Sequence, residues 1–318
     1  MGSAGIEDRW CYVSAVDGAV HGPLAGRHDA VLRKADVLVN VTGSTKLRDS
    51  HRRVPIRIYL ETDPVAPQIQ AAQGHTPTLE ALAMHSHRFT FGENLGASDC
   101  LVPLPSLAYA PTRQPVVTDW WSRSGSEARA RGTYTTVMNW HQEGSEITWQ
   151  GELYGWSKDA QLLRFIELPR LTQASFELAL SSYTPDDQAL LERHGWRVVE
   201  ARGVSYDIDR YRHYISTSMG EFTVAKDQNV RLRSGWFSDR SACYLAAGRP
   251  VITQDTGFGS VIPTGRGLFA FNTMPEILEA VSAIASDYDG HSRAAREIAR
   301  EHFAAERVVG SMLQRAGA

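Results

Sequence analysis

Short apolar runs alternate with helical patterns along most of this chain, and this alternation is the strongest constraint on its fold. Asp36–Val41 (DVLVNV) and Ile56–Leu60 (IRIYL) have strand length, and polar turn residues follow each of them. Comparable runs recur at Tyr134–Met138, Phe176–Leu180 and Pro250–Gln254, with helical patterns between them. Because this order is typical of βαβ units, we expect an α/β protein with largely parallel sheets.

Residues 103–132 separate two such regions. This segment is rich in Pro, Ser, Arg and Trp and has no clear period; we interpret its arginine-rich stretch, Arg123–Arg131, as a solvated connector. A chain of 318 residues suits two domains of about 150 residues each. We therefore expect one domain at residues 1–132, which includes the connector, and a second at 133–318.

Composition argues against several classes of protein. The net charge of −3 does not favour a nucleic-acid partner or an anionic membrane surface. Three widely spaced cysteines argue against a disulfide scaffold and against a cysteine-built zinc site, and they fit a reducing cytoplasm. No apolar run approaches the roughly 18 residues of a membrane span, and the N-terminal residues do not resemble a secretory signal. We expect a cytoplasmic protein with no membrane span.

The densest chemical signal is the run SGWFSDRSACYLAAGRPVITQDTGFG, which starts at Ser234. Ser238 and Asp239 suit the start of a helix, where free backbone N–H groups form an anion site. Gly235 allows close approach of the backbone to a ligand, and Arg240 adds a guanidinium suited to phosphate. An ordinary helix–strand corner explains the same spacing about equally well.

Further candidate ligand-binding residues flank this helix. The next strand ends at Gln254, and Thr256 and Gly257 follow in its turn, where ligands of open α/β sheets bind. Gly220 comes after an expected strand at Tyr214–Ser218, and Lys226 lies a few residues further on. A glycine at a strand end with a nearby lysine suits a nucleotide base or phosphate, although a plain turn with a surface lysine is the alternative.

The second half resembles the donor-binding half of GT-B glycosyltransferases. The matching features, in order, are the small-residue loop, the helix, Ala-Ala-Gly-x-Pro-Val-Ile, a polar loop, PTGRGLFAF, a helix from Pro275 and AAREIAREHF. The resemblance covers residues 134–315. It implies two Rossmann-like domains facing a cleft, with a nucleoside-diphosphate sugar in the C-terminal domain and an acceptor across the cleft. It also implies glycosyl transfer without a bound metal, so no metal or other cofactor is expected.

One position departs from this resemblance. Many relatives place a Glu seven residues before the Pro of the motif, where it holds the donor ribose, and Cys243 stands there in this chain. The Glu-x7-Glu pattern of the retaining enzymes would fall at Gly235 and Cys243, so it is absent. The donor and the stereochemical outcome therefore stay open.

An inverting transferase needs a carboxylate or a histidine to deprotonate the acceptor hydroxyl. Asp63 and Glu93 follow strands of the first half, and His141 follows the first strand of the second half. These three residues are the candidate bases. For Asp63, a turn-capping role before Pro64 is the stronger alternative.

Three functions fit these observations. The first is glycosyl transfer to an unknown acceptor, the second is nucleotide-sugar binding by a catalytically inactive relative, and the third is epimerisation of a sugar nucleotide. The missing ribose Glu favours the second. The third needs an acid/base pair around one sugar carbon, and the sequence identifies no such pair.

The first half lacks the usual opening of a GT-B N-terminal domain. No apolar strand with a glycine turn precedes Asp36. We expect a reduced N-terminal domain with fewer parallel strands than the C-terminal one, either because the recorded start lies downstream of the true one or because a partner completes the cleft. An incompletely covered sheet favours self-association into a homo-oligomer.

Overall fold

Two parallel β-sheets form the centre of the molecule in the computed structural model, which describes residues 5–104, 106–121 and 132–318. The connector Arg123–Arg131 lies outside the described residues. In chain order the strands are β1 (Tyr12–Val13), β2 (Val20–His21), β3 (Val37–Val41), β4 (Ile56–Glu61), β5 (His87–Thr90), β6 (Ala110–Pro111), β7 (Thr133–Asn139), β8 (Ile147–Trp149), β9 (Glu152–Tyr154), β10 (Ser175–Ser181), β11 (Arg197–Glu200), β12 (Gly220–Thr223), β13 (Val251–Gln254) and β14 (Leu268–Phe271).

Helices connect most of these strands. They are α1 (His28–Leu32), α2 (Asp49–Arg52), α3 (Ala66–Ala72), α4 (Thr76–Ala83), α5 (Asp159–Leu163), α6 (Pro185–Arg193), α7 (Ala201–Ser205), α8 (Ile208–Thr217), α9 (Asp227–Arg231), α10 (Asp239–Ala246), α11 (Met274–Ser286), α12 (Tyr288–Ile298) and α13 (Ala305–Ala316). Short 3₁₀ turns occur at Ala25–Arg27, Thr118–Trp121, Leu168–Arg170 and Phe258–Ser260, and a π-helical turn at Ala299–Phe303 joins α12 to α13. Among the described residues, no helix combines the length and apolar content needed to cross a bilayer.

The first sheet has four parallel strands in the order β3-β4-β5-β6, and the second has six in the order β11-β10-β7-β12-β13-β14. The expected α/β class with parallel sheets is therefore confirmed, and within the described residues the first sheet has the fewer strands, as expected. Strand β3 lies at an edge of the first sheet and exposes half of Val41. Self-association through this half of the chain stays a prediction.

Both faces of the second sheet are covered, as parallel sheets require. On one face, Phe222 and Phe271 stack with ring centroids 5.5 Å apart and pack against Ile277 of α11. On the other face, the apolar residues Val251 and Leu268 pack with α10 and α12. Because β7, β10 and β12 are parallel, their carboxyl ends lie at one edge of the sheet, where Asp63 of the first half also lies.

Two short apolar runs whose sequence predicts a strand do not form one. The run Leu101–Pro103, predicted as the fourth strand of the first sheet, forms none, and that strand is instead the two-residue pairing of Ala110–Pro111 with β5. Tyr214–Ser218 continues helix α8, and the strand begins only at Gly220. A short apolar run has the same local pattern in a buried strand and on the buried side of a helix, which explains the error.

Candidate functional site

A cleft of about 330 Å³ opens where the second sheet faces the first. The carboxyl end of β7, the start of helix α10 and the loop after β4 form its walls. The second half supplies most of the lining, and Asp63 comes from the first half. The lining residues are Asp63, Val137, Met138, Asn139, Gln142, Lys158, Ser181, Ala201, Ser205, Lys226, Trp236, Ser238, Asp239 and Arg240.

An ion pair bridges the two halves across this cleft. Lys226 Nζ donates to Asp63 Oδ1 at 2.8 Å, and the same ammonium lies 3.3 Å from the ring centroid of Trp156. Burial lowers the pKa of Lys226, while Asp63 opposes that effect. Two residues predicted from sequence are therefore in direct contact: Asp63 is a candidate base, and Lys226 is a candidate phosphate ligand.

Lys158 is a second cation of the cleft. Its Nζ lies 5.7 Å from the ring centroid of Trp236, and among the described residues no carboxylate forms an ion pair with it. Burial, together with the nearby charges of Arg240 and Lys226, lowers the pKa of Lys158 to about 7. A cation without a counter-ion in a partly desolvated cleft is a binding site for an anion.

Arg240 also reaches the cleft, but protein groups occupy its donors. Its Nε donates to Glu221 at 2.5 Å, Nη1 donates to the carbonyl of Val137 at 2.6 Å, and Nη2 donates to Thr223 Oγ1 at 2.8 Å. Glu221 is fully buried, so the pair neutralises two charges beneath the cleft floor. The geometry thus gives Arg240 a positioning role for the ends of β7 and β12.

Helix α10 points its N-terminus into the cleft. Ser238 precedes its first turn and Asp239 begins it, and both side chains line the cleft. Within the described residues, Ser238 makes no side-chain cap to that turn. The first-turn N–H groups therefore stay available to an anion, which the positive end of the helix dipole also favours.

Five other predicted ligand residues build the junction between the halves instead of the cleft lining. Ser234 is fully buried and donates to Asn229 at 2.8 Å, and Thr256 donates to the carbonyl of Trp236 at 2.6 Å. The Gln254 amide donates to Gln161 at 2.8 Å. These hydrogen bonds hold the loops beside helix α10 in place.

Gly235 and Gly257 serve the same junction. Both have positive φ, +79° and +94°, and a Cβ on either would meet Asn94 of the first half, at 2.3 Å from its backbone N and at 2.8 Å from its Nδ2 respectively. Asn94 N–H donates to the carbonyl of Ser234, and its side-chain amide donates to the carbonyl of Arg233. Glycine is required at both positions because the loops of the second half approach Asn94 of the first half too closely for a Cβ atom.

Gly220 needs a correction. It does not follow a strand, as the sequence predicts, but begins strand β12 and so lies at the amino edge of the sheet, opposite the cleft. A Cβ there would lie 2.5 Å from the carbonyl oxygen of Pro250 and 2.8 Å from the ring of Tyr134. Tight packing between neighbouring strands explains this glycine.

Glu93 and His141, the other candidate bases, do not line the cleft. Glu93 is paired with Arg113 at 2.6 Å. His141 lies between Asp159 and Asp187, at 3.1 and 3.0 Å. Of the three candidates, the structure brings only Asp63 to the cleft.

Lys158 and Trp236 are two of the cleft residues that the sequence analysis did not select. Lys158 occupies the N-cap of helix α5, where a cation faces the positive end of the helix dipole. A lysine at this unfavourable position in the sequence was the signal that could have indicated an anion-binding role for Lys158. Trp236 donates from Nε1 to the carbonyl of Thr62 at 2.9 Å and so fixes the cleft wall to the first half.

Within the described residues, no group of three or more His, Cys, Asp or Glu side chains is placed to hold a metal ion. The expectation of a metal-independent site stays a prediction.

No protein-family model matches this chain, and no curated protein sequence matches it. Solved structures do match over most of its length. An α-glucosyltransferase in complex with UDP and a 13-mer DNA containing an HMU base has a TM-score of 0.57 at 10% identity, covering 92% of this chain and 83% of that one. HepE (Alr3699) from Anabaena, in complex with UDP, has a TM-score of 0.55 at 12% identity, covering 93% and 82%. A glycosyltransferase from Rickettsia africae ESF-5 has a TM-score of 0.53 at 11% identity, covering 91% and 78%.

The chain has the GT-B fold. The two parallel sheets are its two Rossmann-like units, and the cleft described above lies between them. Helix α10 of this GT-B chain is the helix that the sequence resemblance singled out.

Proposed function

We propose that this protein transfers a glycosyl group from a nucleoside-diphosphate sugar to an acceptor hydroxyl, without a bound metal. The observation that carries the proposal is the position of Lys158 and Lys226 beside the open N-terminus of helix α10, in the cleft between the two sheets. Two ammonium groups and free N–H groups in one cleft match a diphosphate. The similar structures named above, two of them in complex with UDP, support this assignment.

The donor diphosphate would lie on the first turn of α10, with Lys158 and Lys226 at its oxygens. The fixed dipole and the cations would stabilise the charge that develops on the leaving diphosphate. Asp239, on the same wall, adds a carboxylate that can accept hydrogen bonds from a ribose.

Asp63 is the proposed base. It stands on the loop after β4 and is the cleft-lining residue that the first half supplies. When phosphate takes Lys226, Asp63 loses its ion-pair partner and can accept a proton. In a direct displacement the acceptor oxygen bonds to the anomeric carbon, the bond from that carbon to the diphosphate oxygen breaks, and the acceptor proton passes to Asp63.

Binding without turnover is the second candidate function. Cys243, where the resemblance expects a ribose-binding Glu, packs against the apolar cluster under α10, and burial raises the pKa of its thiol. A neutral thiol cannot replace a carboxylate at a ribose, so this departure favours a weaker or different nucleotide contact.

Turnover of the donor separates the two functions. We expect UDP, GDP or dTDP to raise the melting temperature, and we expect slow release of free sugar from the matching nucleotide sugar. Asp63→Asn should lower this hydrolysis by about 10²–10⁴-fold with little loss of nucleotide affinity, because a base acts only in the transition state. Glu93→Gln, outside the cleft, is the matched control and should retain turnover.

Two outcomes would count against the proposal. If Asp63→Asn hydrolyses the nucleotide sugar at the wild-type rate, Asp63 is not the base. If the wild type binds nucleotides but releases no sugar from any nucleotide sugar tested, the protein is a binding module.

A further inference from the structure

A hairpin of the second half reaches across to the first. It consists of β8 and β9, and it follows the central strand β7 of the second sheet. Its buried residues Ile147 and Tyr154 share an apolar cluster with Val65 and Ile69, which come from helix α3 and the residue before it. Gln73, at the end of α3, donates from its amide to the carbonyl of Thr148 at 2.8 Å. The hairpin is therefore anchored on the first half.

This anchoring leaves a second cavity of about 400 Å³, here called the hairpin pocket, between α3 and residues 144–148. Amides, hydroxyls and one indole ring dominate its lining, with a single charged group among the lining residues, the carboxylate of Glu146. A planar ring beside several amide and carboxylate groups suits a ligand with an apolar ring face and many hydroxyls. The polar and aromatic lining residues are Gln70, Gln73, Ser145, Glu146, Thr148 and Trp156.

The hairpin pocket adjoins the candidate active-site cleft. Trp156 lines the hairpin pocket, and Lys226 lies 3.3 Å from the centroid of its ring. Lys226 in turn lines the cleft and contacts Asp63 at 2.8 Å. The hairpin pocket and the cleft therefore meet where Trp156 contacts Lys226.

We propose that the hairpin pocket binds the acceptor, and that the acceptor is an uncharged carbohydrate. This inference rests on the proposed function. Among the described lining residues there is no Lys or Arg, and the charged side chain is the carboxylate of Glu146, which would repel phosphate. The pocket therefore discriminates against nucleic acids and phosphorylated sugars, while its amides and carboxylate bind hydroxyl groups.

The test is calorimetric titration of the full chain, with and without UDP, GDP or dTDP. The probes are methyl α-glucoside, methyl β-galactoside, methyl α-mannoside and maltose, with glucose 6-phosphate and a dT oligonucleotide as charged comparators. We expect at least one neutral saccharide to bind. Glu146→Gln and Gln70→Ala should each weaken that binding about tenfold, since each removes or weakens one hydrogen bond to the ligand. Glu143→Gln, an exposed residue of the same loop outside the pocket lining, should leave it unchanged.

Nucleotide affinity is the internal control, because none of the three variants alters a residue of the cleft. The inference is overturned if no neutral saccharide binds, if both pocket variants bind it as the wild type does, or if only the phosphorylated sugar or the oligonucleotide binds. Failure of the proposed function is a different result: saccharide binding at the hairpin pocket with no nucleotide binding in the wild type would refute the donor site and support the carbohydrate pocket.

Discussion

At the scale of single residues, the charge of Lys158 decides how strongly the cleft holds an anion. Its pKa of about 7 in the free protein means that most Lys158 is neutral at pH 8. A bound diphosphate favours the charged form and raises that pKa, so binding takes up a proton. Nucleotide affinity should therefore fall as the pH rises above 7, by at most about tenfold per pH unit for one proton.

Calorimetry of UDP, GDP or dTDP binding at pH 8, in two buffers that differ in ionisation enthalpy, measures this proton. The wild type should show uptake, Lys158→Met should show none and bind more weakly, and Lys46→Met, an exposed lysine of the first half, should behave as the wild type. Buffer-independent heats in the wild type would mean that nucleotide binding does not change the protonation of Lys158, which would contradict this prediction.

Glu61 is a second residue whose titration can be tested. It is 2% exposed and accepts hydrogen bonds from Gln68 and Thr90, both at 2.6 Å. Burial raises the pKa of Glu61 from its ordinary value of 4.5 to about 7. Between these values the folded state binds more protons than the unfolded state, so the free energy of unfolding falls as the pH rises from about 4.5 to about 7.

Glu61→Gln removes that titration. It should increase the free energy of unfolding by on the order of 3 kcal/mol above pH 7, and it should match the wild type near pH 4, where both side chains are neutral. Urea unfolding across this pH range measures the difference, with the exposed Glu80→Gln as control. Parallel pH profiles for wild type and Glu61→Gln would show that the pKa of Glu61 is the same in the folded and the unfolded protein.

At the scale of elements, the approach of two loops at Gly235 holds the halves together. A Cβ there would lie 2.3 Å from the backbone N of Asn94, whereas Gly265, also at positive φ, has nothing within 4 Å of its Cβ position. Both Gly→Ala variants incur backbone strain, and only Gly235→Ala adds the clash. We expect Gly235→Ala to cost about 1–3 kcal/mol more than Gly265→Ala in urea unfolding, as overpacking does. Equal losses of unfolding free energy in the two variants would mean that the loops at Gly235 and Asn94 can move apart at no cost in stability.

The sequence predicted helix α10 and the strand that follows it, because the periodicity and the capping residues that define such elements lie within a few residues of each other. Helix α10 begins at Asp239, directly after the expected cap Ser238, and strand β13 ends at Gln254, as expected. The strand predicted at Tyr214–Ser218 is wrong because the local pattern of this segment fits a strand and a helix equally well. Contacts such as Lys226 with Asp63, 163 residues apart, depend on how the two sheets face each other. The sequence predicted both side chains, but it could not predict their pairing.

At the scale of the whole molecule, the last helix completes the core of the first half. Met312 and Ala316 of α13 pack with Ile58 and Phe89 of the first sheet. The preceding π-helical turn is tied to the connection between the halves, where Val116 N–H donates to the carbonyl of Phe303 at 2.7 Å. Helix α13 thus packs on the sheet of the first half although it follows the second sheet in sequence, and neither half has a complete core without the other.

Met312→Ala tests this dependence. The buried side chain is 5% exposed, so its truncation should cost about 2–5 kcal/mol. Because α13 joins both halves, the loss should move one cooperative transition, with the same urea midpoint by tryptophan fluorescence and by far-ultraviolet circular dichroism. Met312→Leu, which nearly conserves volume, should cost less than about 1.5 kcal/mol, and Gln314→Ala on the exposed side of the helix should cost little. Two separate transitions, of which Met312→Ala moves only one, would show that the halves unfold independently and that α13 stabilises the first sheet alone.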